Sequence, residues 1–597
     1  MYLKPEFACL LQNNDAPSES TILEVTESLK APLNELQEVE AEIERLGEIM
    51  ETMKMKRQSI QKIINDHNII LSPTRRLPPD VLHEIFFHCL PTHRNPIIKY
   101  SESPLLLTQI CSSWRAIALS SPRIWSKVYI PLPGDPSFSS SHGIITDEIT
   151  LSIRRQRFAG VMRSRCDTIR RWLSRSGTCP LSLSVTYPGY YSILEDSDDE
   201  LAHEMFSVLL SFADRWGDVD LSMPESIYNK LQCDINPTML SSLKSLKIDL
   251  YRKSTWDSTT PTPIRLLAAP GLRRITISAI QTLDMTGNLA QSIWNHITHI
   301  TFASSITDIY LLVLLRQCPN LVFGKFIVQS SPWLDQIIGD QGEVLLPRLE
   351  SLAINDSDSH ENMKIVFNSI KAPALTRLSY QAFERDLEYN STIPFLTPVL
   401  PLLENSTLIN NLSLDGGLSS QDTQECLRRG AHVTHIVFGK PPGANAHPHR
   451  SPHLDIFDLR ILSIGPLGVS PLPRLESLEA YQLSSLTDED LLDVITSRIN
   501  TFKRGETAAL KSVKISFQRR RQKDITEDVS RIAKEAGIEV KLGLTYLPEE
   551  PDHELLKHLS PSFGLPSDDD VISWYDSLVC ILWCSLTTFA CPNFENE

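Results

Sequence analysis

Leu243-Lys244-Ser245-Leu246-Lys247-Ile248 sets a pattern, apolar at its first, fourth and sixth positions, that the chain repeats as far as residue 515. It returns as Leu272-x-x-Ile275-x-Ile277, Ile297-x-x-Ile300-x-Phe302, Leu349-x-x-Leu352-x-Ile354 and Leu375-x-x-Leu378-x-Tyr380. Further copies are Ile409-x-x-Leu412-x-Leu414, Val433-x-x-Ile436-x-Phe438, Leu459-x-x-Leu462-x-Ile464 and Leu510-x-x-Val513-x-Ile515, with weaker ones at Leu321 and Leu475. The alternation in the last three positions predicts a short strand with one buried face, and the leucine three positions earlier packs beneath it.

One such unit cannot bury its apolar side alone, so neighbours must stack into a parallel sheet lining a curved solenoid. The copies recur about every 24–35 residues, at or somewhat above the usual leucine-rich-repeat period of roughly 20–29. Between the strands lie helix-like segments such as Asp488-Glu489-Asp490-Leu491-Leu492-Asp493-Val494-Ile495, opened by Thr487 as an N-cap. The asparagine position of stricter repeats is mostly missing. A doubly wound α/β enzyme is the competing architecture, but the chain has no glycine-rich phosphate loop.

Upstream, residues 1–27 read as a loose polar tail and 28–70 as a coiled-coil helix. Leu29, Leu36, Ile43, Met50 and Ile64 occupy one heptad position; Val39, Leu46, Met53 and Ile60 occupy the second. Arg57 and His67 interrupt this seam, and Gly47 lowers helix propensity. Self-association through residues 29–64, and a fold-back of the same helix onto the next domain, are both open. Leu71-Ser72-Pro73 ends the helix, because proline cannot continue it.

Pro78 and Pro79 suit the start of a further helix, in which Val81, Leu82, Ile85, Phe86 and Cys89 recur at helical spacing. A loop from Pro91 to Pro104 and a second helix from Leu105 to Leu119 follow. The whole stretch, Leu77-Pro78-Pro79-Asp80-Val81-Leu82-His83-Glu84-Ile85-Phe86, then Ile110-Cys111-Ser112-Ser113-Trp114-Arg115, closing at Ile124-Trp125, resembles an F-box. The resemblance implies a small all-α module that docks onto a Skp-type adaptor and through it onto a cullin ubiquitin ligase. It further implies that Leu77 and Pro78 insert against the adaptor and that Leu82, Ile85, Phe86 and Leu90 continue that surface. Ile110, Cys111 and Trp114 occupy the family's Val-Cys-x-x-Trp position, with Arg115 following, and Trp125 matches a closing aromatic of the module's own core. A module carrying this much apolar surface is expected to present part of it to a partner.

The expected organisation is therefore a tail (1–27), a coiled-coil helix (28–70), an F-box (71–129), a linker (130–152), a leucine-rich-repeat-like substrate-binding domain (153–545) and an acidic, apolar C-terminal tail (546–597). In class this is α/β: a helical coiled coil and an all-α F-box followed by an α/β solenoid. It is similar to the expanded F-box families of fungi. The implied role is recruitment of an unknown protein substrate, with ubiquitin transfer left to other subunits. The alternatives are a repeat scaffold with no part in ubiquitination, and an α/β enzyme.

Composition bounds the rest. Hydrophobic residues at 41% and charged residues at 22% describe a folded chain. The net charge of −16 disfavours a general nucleic-acid binder. Eleven cysteines without a C-x-x-C pair read as reduced core thiols of a cytoplasmic or nuclear protein. Leu578–Cys591 is strongly apolar but shorter than the roughly 18–20 residues of a spanning helix, so no membrane partner is expected. The Arg-rich stretch from Arg154 to Arg175 reads as a solvated helix face.

His83-Glu84-x-x-x-His88 misses the zinc-protease spacing, since positions five apart lie about 140° apart around a helix. His447, His449 and His453 fall in a proline-rich loop that makes a poor metal cage. Without a nucleophile elbow, Walker loop or dinucleotide fingerprint, neither catalysis nor a cofactor is expected.

Overall fold

The computed structural model describes residues 11, 16–71, 73–132, 138–139, 143–144, 147–187, 204–251, 264–278, 294–331, 343–357, 362–382, 398–415, 420–439, 459–463 and 471–547. The fold is mixed α/β, and the chain divides into two compact units. One takes the residues up to Pro91 together with Ser103–Ile124; the other takes Thr92–Glu102 and the chain from Trp125 onward.

The first unit opens with one long helix, α1 (Glu19–Leu71). Glu, Lys, Gln, Leu and Met dominate it, all strong helix formers, and Ser18 starts it by accepting the Thr21 N–H at 3.3 Å. Exposed pairs one turn apart support it, Arg45 with Glu42 at 2.7 Å and Lys54 with Glu51 at 2.6 Å. The helix begins at Glu19, so the expected tail of 1–27 is too long by a third of its length. None of its residues is buried, and the fold-back is not seen.

The rest of this unit is α2 (Pro79–His88), α3 (Leu107–Ile110), α4 (Ser112–Leu119) and the short α5 (Pro122–Trp125). The single helix expected from Leu105 to Leu119 is in fact two. Cys111 between them is extended (φ −158°), and its sulfur accepts the Trp114 N–H at 3.4 Å as the N-cap of α4.

The second unit is built on a parallel sheet. Its strands in chain order are β1 (Lys127–Pro131), β2 (Leu181–Thr186), β3 (Trp216–Pro224), β4 (Ser245–Tyr251), β5 (Arg274–Ser278), β6 (His299–Thr307) and β7 (Phe323–Gln329). Then follow β8 (Ser351–Asp356), β9 (Arg377–Ala382), β10 (Asn411–Asp415), β11 (His435–Phe438), β12 (Ser477–Leu483), β13 (Ser512–Phe517) and β14 (Lys541–Thr545). Among the described residues these fourteen strands form one sheet whose spatial order is the chain order. That order never reverses, so the sheet lacks the switch point at which doubly wound sheets bind ligands.

Register explains the repeated phrase. Leu246, Ile275, Ile300, Leu352, Leu378, Leu412, Ile436 and Val513 fall in one buried column, and Ile248, Ile277, Ile354, Tyr380, Leu414, Phe438 and Ile515 fall in a second. The apolar residue three positions upstream is buried each time, as at Leu243, Leu272, Leu349 and Leu375. A turn precedes it: Leu243 N–H donates to Leu240, Leu272 to Ala269, Leu321 to Cys318 and Val433 to Gly430. One carbonyl per unit then receives two N–H groups from the next unit, as Lys244 does from Arg273 and Arg274 and Thr376 does from Asn410 and Asn411. This ladder satisfies backbone groups at the crossovers from Lys244 to Glu476.

Four expectations need correcting. Leu459–Leu462 is a 3₁₀ turn, not a strand copy, because β11 pairs directly with β12. The sheet begins at Lys127 rather than after residue 153, and α6 (Glu148–Arg175) also starts earlier. Part of the loop expected inside the F-box, Thr92–Glu102, belongs to the second unit: Ile97 bridges Tyr129 of β1, and Asn95 bonds Ser182 and Ser184 of β2. That segment covers part of an otherwise open sheet edge. The Arg-rich face of α6 is only partly solvated, since Arg165 reaches the Pro131 carbonyl and burial lowers its pKa. Arg165 lies at the edge of the stripe that buries Phe158, Met162, Ile169 and Trp172.

Candidate functional site

On the helical module, helical spacing separates a buried stripe from an exposed one. Leu82 and Phe86 point inward; the Phe86 ring lies 4.9 Å from that of Trp114. Leu90, Leu107, Ala118 and Ile124 are buried as well. On the other side of α2 stand Pro78, Val81 and Ile85, with Ile85 37% exposed. Leu106 and Ile110 repeat the arrangement one turn apart on α3, Ile110 being 53% exposed, and Leu119 is exposed on α4. Leu77 is half-buried.

The residues singled out from the sequence therefore have three fates. Pro78, Ile85 and Ile110 are exposed and available to a docked surface. Leu82, Phe86 and Leu90 are interior and hold the module together. Cys111 and Arg115 are exposed yet occupied by the chain itself: Cys111 caps α4, and Arg115 Nε donates to the Thr108 carbonyl at 2.7 Å. Trp114 is half-buried against Phe86. Val81, Leu106 and Leu119 are further exposed apolar residues that spacing alone does not set apart.

Polar links fix α2 against the end of the module. The His83 ring bonds the Ser121 hydroxyl, and Arg123 pairs with Glu84 while its guanidinium covers the Phe87 ring at 4.0 Å. His88 is exposed, so His83 and His88 share no ligand geometry. Among the described residues no group of His, Cys, Asp or Glu could hold a metal ion, and no helix is long and apolar enough to cross a membrane. His447, His449, His453, Cys580, Cys584 and Leu578–Cys591 lie outside the described residues.

The open face of the sheet is a second surface. Near β3 to β5 its outward columns pair with one another, Lys247 with Asp220 at 3.0 Å and Arg274 with Asp218 at 3.1 Å. Near β12 and β13 the partners are Lys511 and Glu476 at 2.7 Å, and Lys514 and Glu479 at 3.8 Å. Between these ends one outward column runs Thr301, Lys325, Ala353, Ser379 and Ser413, a single lysine among small side chains. His299 stacks on Phe323 beside them, with ring centroids 6.0 Å apart. Burial, and then the adjacent Arg274, pull the His299 imidazole below its ordinary pKa.

No protein-family model matches this chain, and no curated protein matches it.

Proposed function

We propose that the chain is the substrate-recognition subunit of a Skp–cullin–F-box ubiquitin ligase. In this reading the helical module docks the adaptor, and the sheet is a leucine-rich-repeat-like solenoid whose strand face binds the protein to be ubiquitinated. The observation that carries it is the Pro78–Val81–Ile85 stripe, left exposed on a module whose interior Leu82, Phe86 and Trp114 already fill. Apolar side chains with no internal use on a small polar-rimmed module mark a protein-binding face. The strictly sequential parallel sheet supports the second half: neighbouring units stack through identical apolar columns, and the residues that vary from strand to strand face outward. The middle of that face, between the two ion-paired ends, is where the target docks.

Co-expression with a Skp-type adaptor tests this reading. A stable complex is expected, and Ile85→Asp or Ile110→Asp should weaken it at least about 30-fold, the effect of losing a central hot spot. A folded protein that leaves the adaptor unbound overturns the reading in favour of a scaffold without a ligase.

A further inference from the structure

The seam of α1 is apolar along nearly its whole length and covered along none of it. With the helix starting at Glu19, the heptad extends beyond the residues first assigned: Ile22, Leu29, Leu36, Ile43, Met50, Ile64 and Leu71 share one position, and Val25, Val39, Leu46, Met53 and Ile60 share the other. All of these except Val25 are among the exposed large apolar residues. Such a seam needs a partner helix, since an isolated helix with an open apolar face is poorly stable in water.

Charge beside the seam selects the partner. The flanking residues are acidic in the first half (Glu35, Glu40, Glu42) and basic in the second (Lys54, Lys56), and Arg57 interrupts the seam itself. A second copy lying parallel places Glu35 beside Glu40 on both sides and Arg57 against Arg57, and it forms no ion pair at the flanks. A second copy lying antiparallel places Met50 on Leu46, Ile43 on Met53 and Leu36 on Ile60. Glu40 then faces Lys54 and Glu42 faces Lys56, each twice by symmetry. Arg57 falls opposite Val39, within the acidic stretch from Glu38 to Glu44. Gly47 meets Gly47 beside the two-fold axis, where a missing side chain lets the helices approach. Sliding one helix by a heptad in either direction loses all four of these pairs, and only Glu35 with Lys56 can replace any. The pairs within each helix, Glu42 with Arg45 and Glu51 with Lys54, are exposed and weak enough to rearrange.

We propose that α1 pairs with the α1 of a second copy as an antiparallel two-stranded coiled coil centred between Gly47 and Ile49. The contact is isologous, so it closes at a dimer. The two α1 C-termini then lie about 70 Å apart along the rod, at 1.5 Å per residue. Each helical module is thereby held away from the other.

The test uses the full chain, with mass from light scattering and crosslinking through introduced cysteines compared with the parent. Leu36→Cys and Ile60→Cys chains, mixed and oxidised, should crosslink to each other. Leu36→Cys alone should not crosslink, because its mate lies about 36 Å away. Glu40→Lys/Glu42→Lys should weaken the dimer about tenfold or more, and so should Lys54→Glu/Lys56→Glu. Mixing these two variants should restore a dimer, now a heterodimer. A parallel pair behaves oppositely: Leu36→Cys crosslinks to itself, and Glu40→Lys strengthens association by removing the clash with Glu35. Either of those results, or a monomer at tens of micromolar, overturns the proposal. None of these positions is buried within the chain, so an unaltered thermal transition for the rest of the protein separates lost pairing from lost folding.

Discussion

Gly324 sits in the buried column that other strands fill with Leu, Ile or Val. By the repeat pattern alone, Gly324→Leu restores the missing residue and should stabilise the sheet. Packing says the reverse. A Cβ built on Gly324 lies 2.7 Å from Cε2 of Phe326, 3.3 Å from its Cζ and 3.5 Å from a methyl of Leu321. Phe326 is fully buried, and its ring is 5.8 Å from that of Phe302, so it has no exposed side to turn towards. One large ring thus does the work of two apolar residues. Forcing a leucine in should cost about 1–3 kcal/mol by overpacking, partly offset by about 0.5–1 kcal/mol from replacing a flexible glycine. Phe326→Ile alone should cost about 1–3 kcal/mol through the cavity it leaves. The double variant, which rebuilds the common Leu-x-Ile phrase, should recover about 2 kcal/mol relative to the sum of the singles. Urea titrations followed by fluorescence and circular dichroism measure all three, provided both probes report one transition. A Gly324→Leu chain more stable than the parent, or an additive double variant, would refute this account of the column.

Two other expectations concern the ends of the chain's architecture. Asp488, fully buried, accepts from Arg519 at 2.8 Å, from the Gln522 and Lys523 N–H groups at 2.8 Å and from the Tyr546 hydroxyl at 3.0 Å. Burial opposes its ionisation, but these donors outweigh it and hold its carboxyl below the usual range. Because the folded pKa is depressed, the stabilisation is complete above the unfolded value near ~4 and is lost as pH falls through the lower folded value. Asp488→Ala should cost about 3–5 kcal/mol locally, read as faster hydrogen exchange over Lys541–Thr545. The parent should lose the same protection below about pH 4, and Asp488→Asn should show little such pH dependence. In the helical module, Phe86→Ala should cost about 3–5 kcal/mol of stability, whereas exposed Ile85→Ser should change it by no more than about 0.5 kcal/mol. Thermal melts of a fragment carrying a reporter at Trp114 would distinguish the two, and equal losses would contradict the assignment of Phe86 as interior.

The parallel sheet was legible because its apolar columns recur with the same spacing and every copy but one became a strand. Leu459–Leu462 failed because three apolar residues at those offsets also suit a 3₁₀ turn, and spacing alone carries no pairing information. The strands β1 to β3 went unread for the opposite reason: their buried residues, such as Val128, Leu183 and Val219, pair in the same columns without the leading leucine. In the module, helix positions were legible, but the split at Cys111 was not, since it depends on a sulfur acting as a cap. Nor could the sequence separate Phe86 from Ile85. Neighbouring apolar residues on a helix point about 100° apart, and only packing tells which direction is inward.

Cys111 and Arg115 show what that distinction does to a motif. Both belong to the most recognisable part of the F-box resemblance, yet each has an internal reason to be present: the sulfur caps α4, and the guanidinium ties α4 to the last carbonyls of α3. Each internal role accounts for the residue's presence whether or not it also touches a partner. Surface left over after internal demands are met is the better guide, and on this module it includes Pro78, Val81, Ile85, Leu106, Ile110 and Leu119. The same reasoning on α1 leaves the entire seam over, and on the sheet it leaves only the outward columns between the ion-paired ends. Three separate surfaces therefore remain with three different chemistries: a compact apolar face, a long heptad seam flanked by opposite charges, and a broad, mainly polar sheet face. Surfaces so unlike one another share no residues, so under the proposed reading the adaptor, a second copy and the target would not compete for the same side chains.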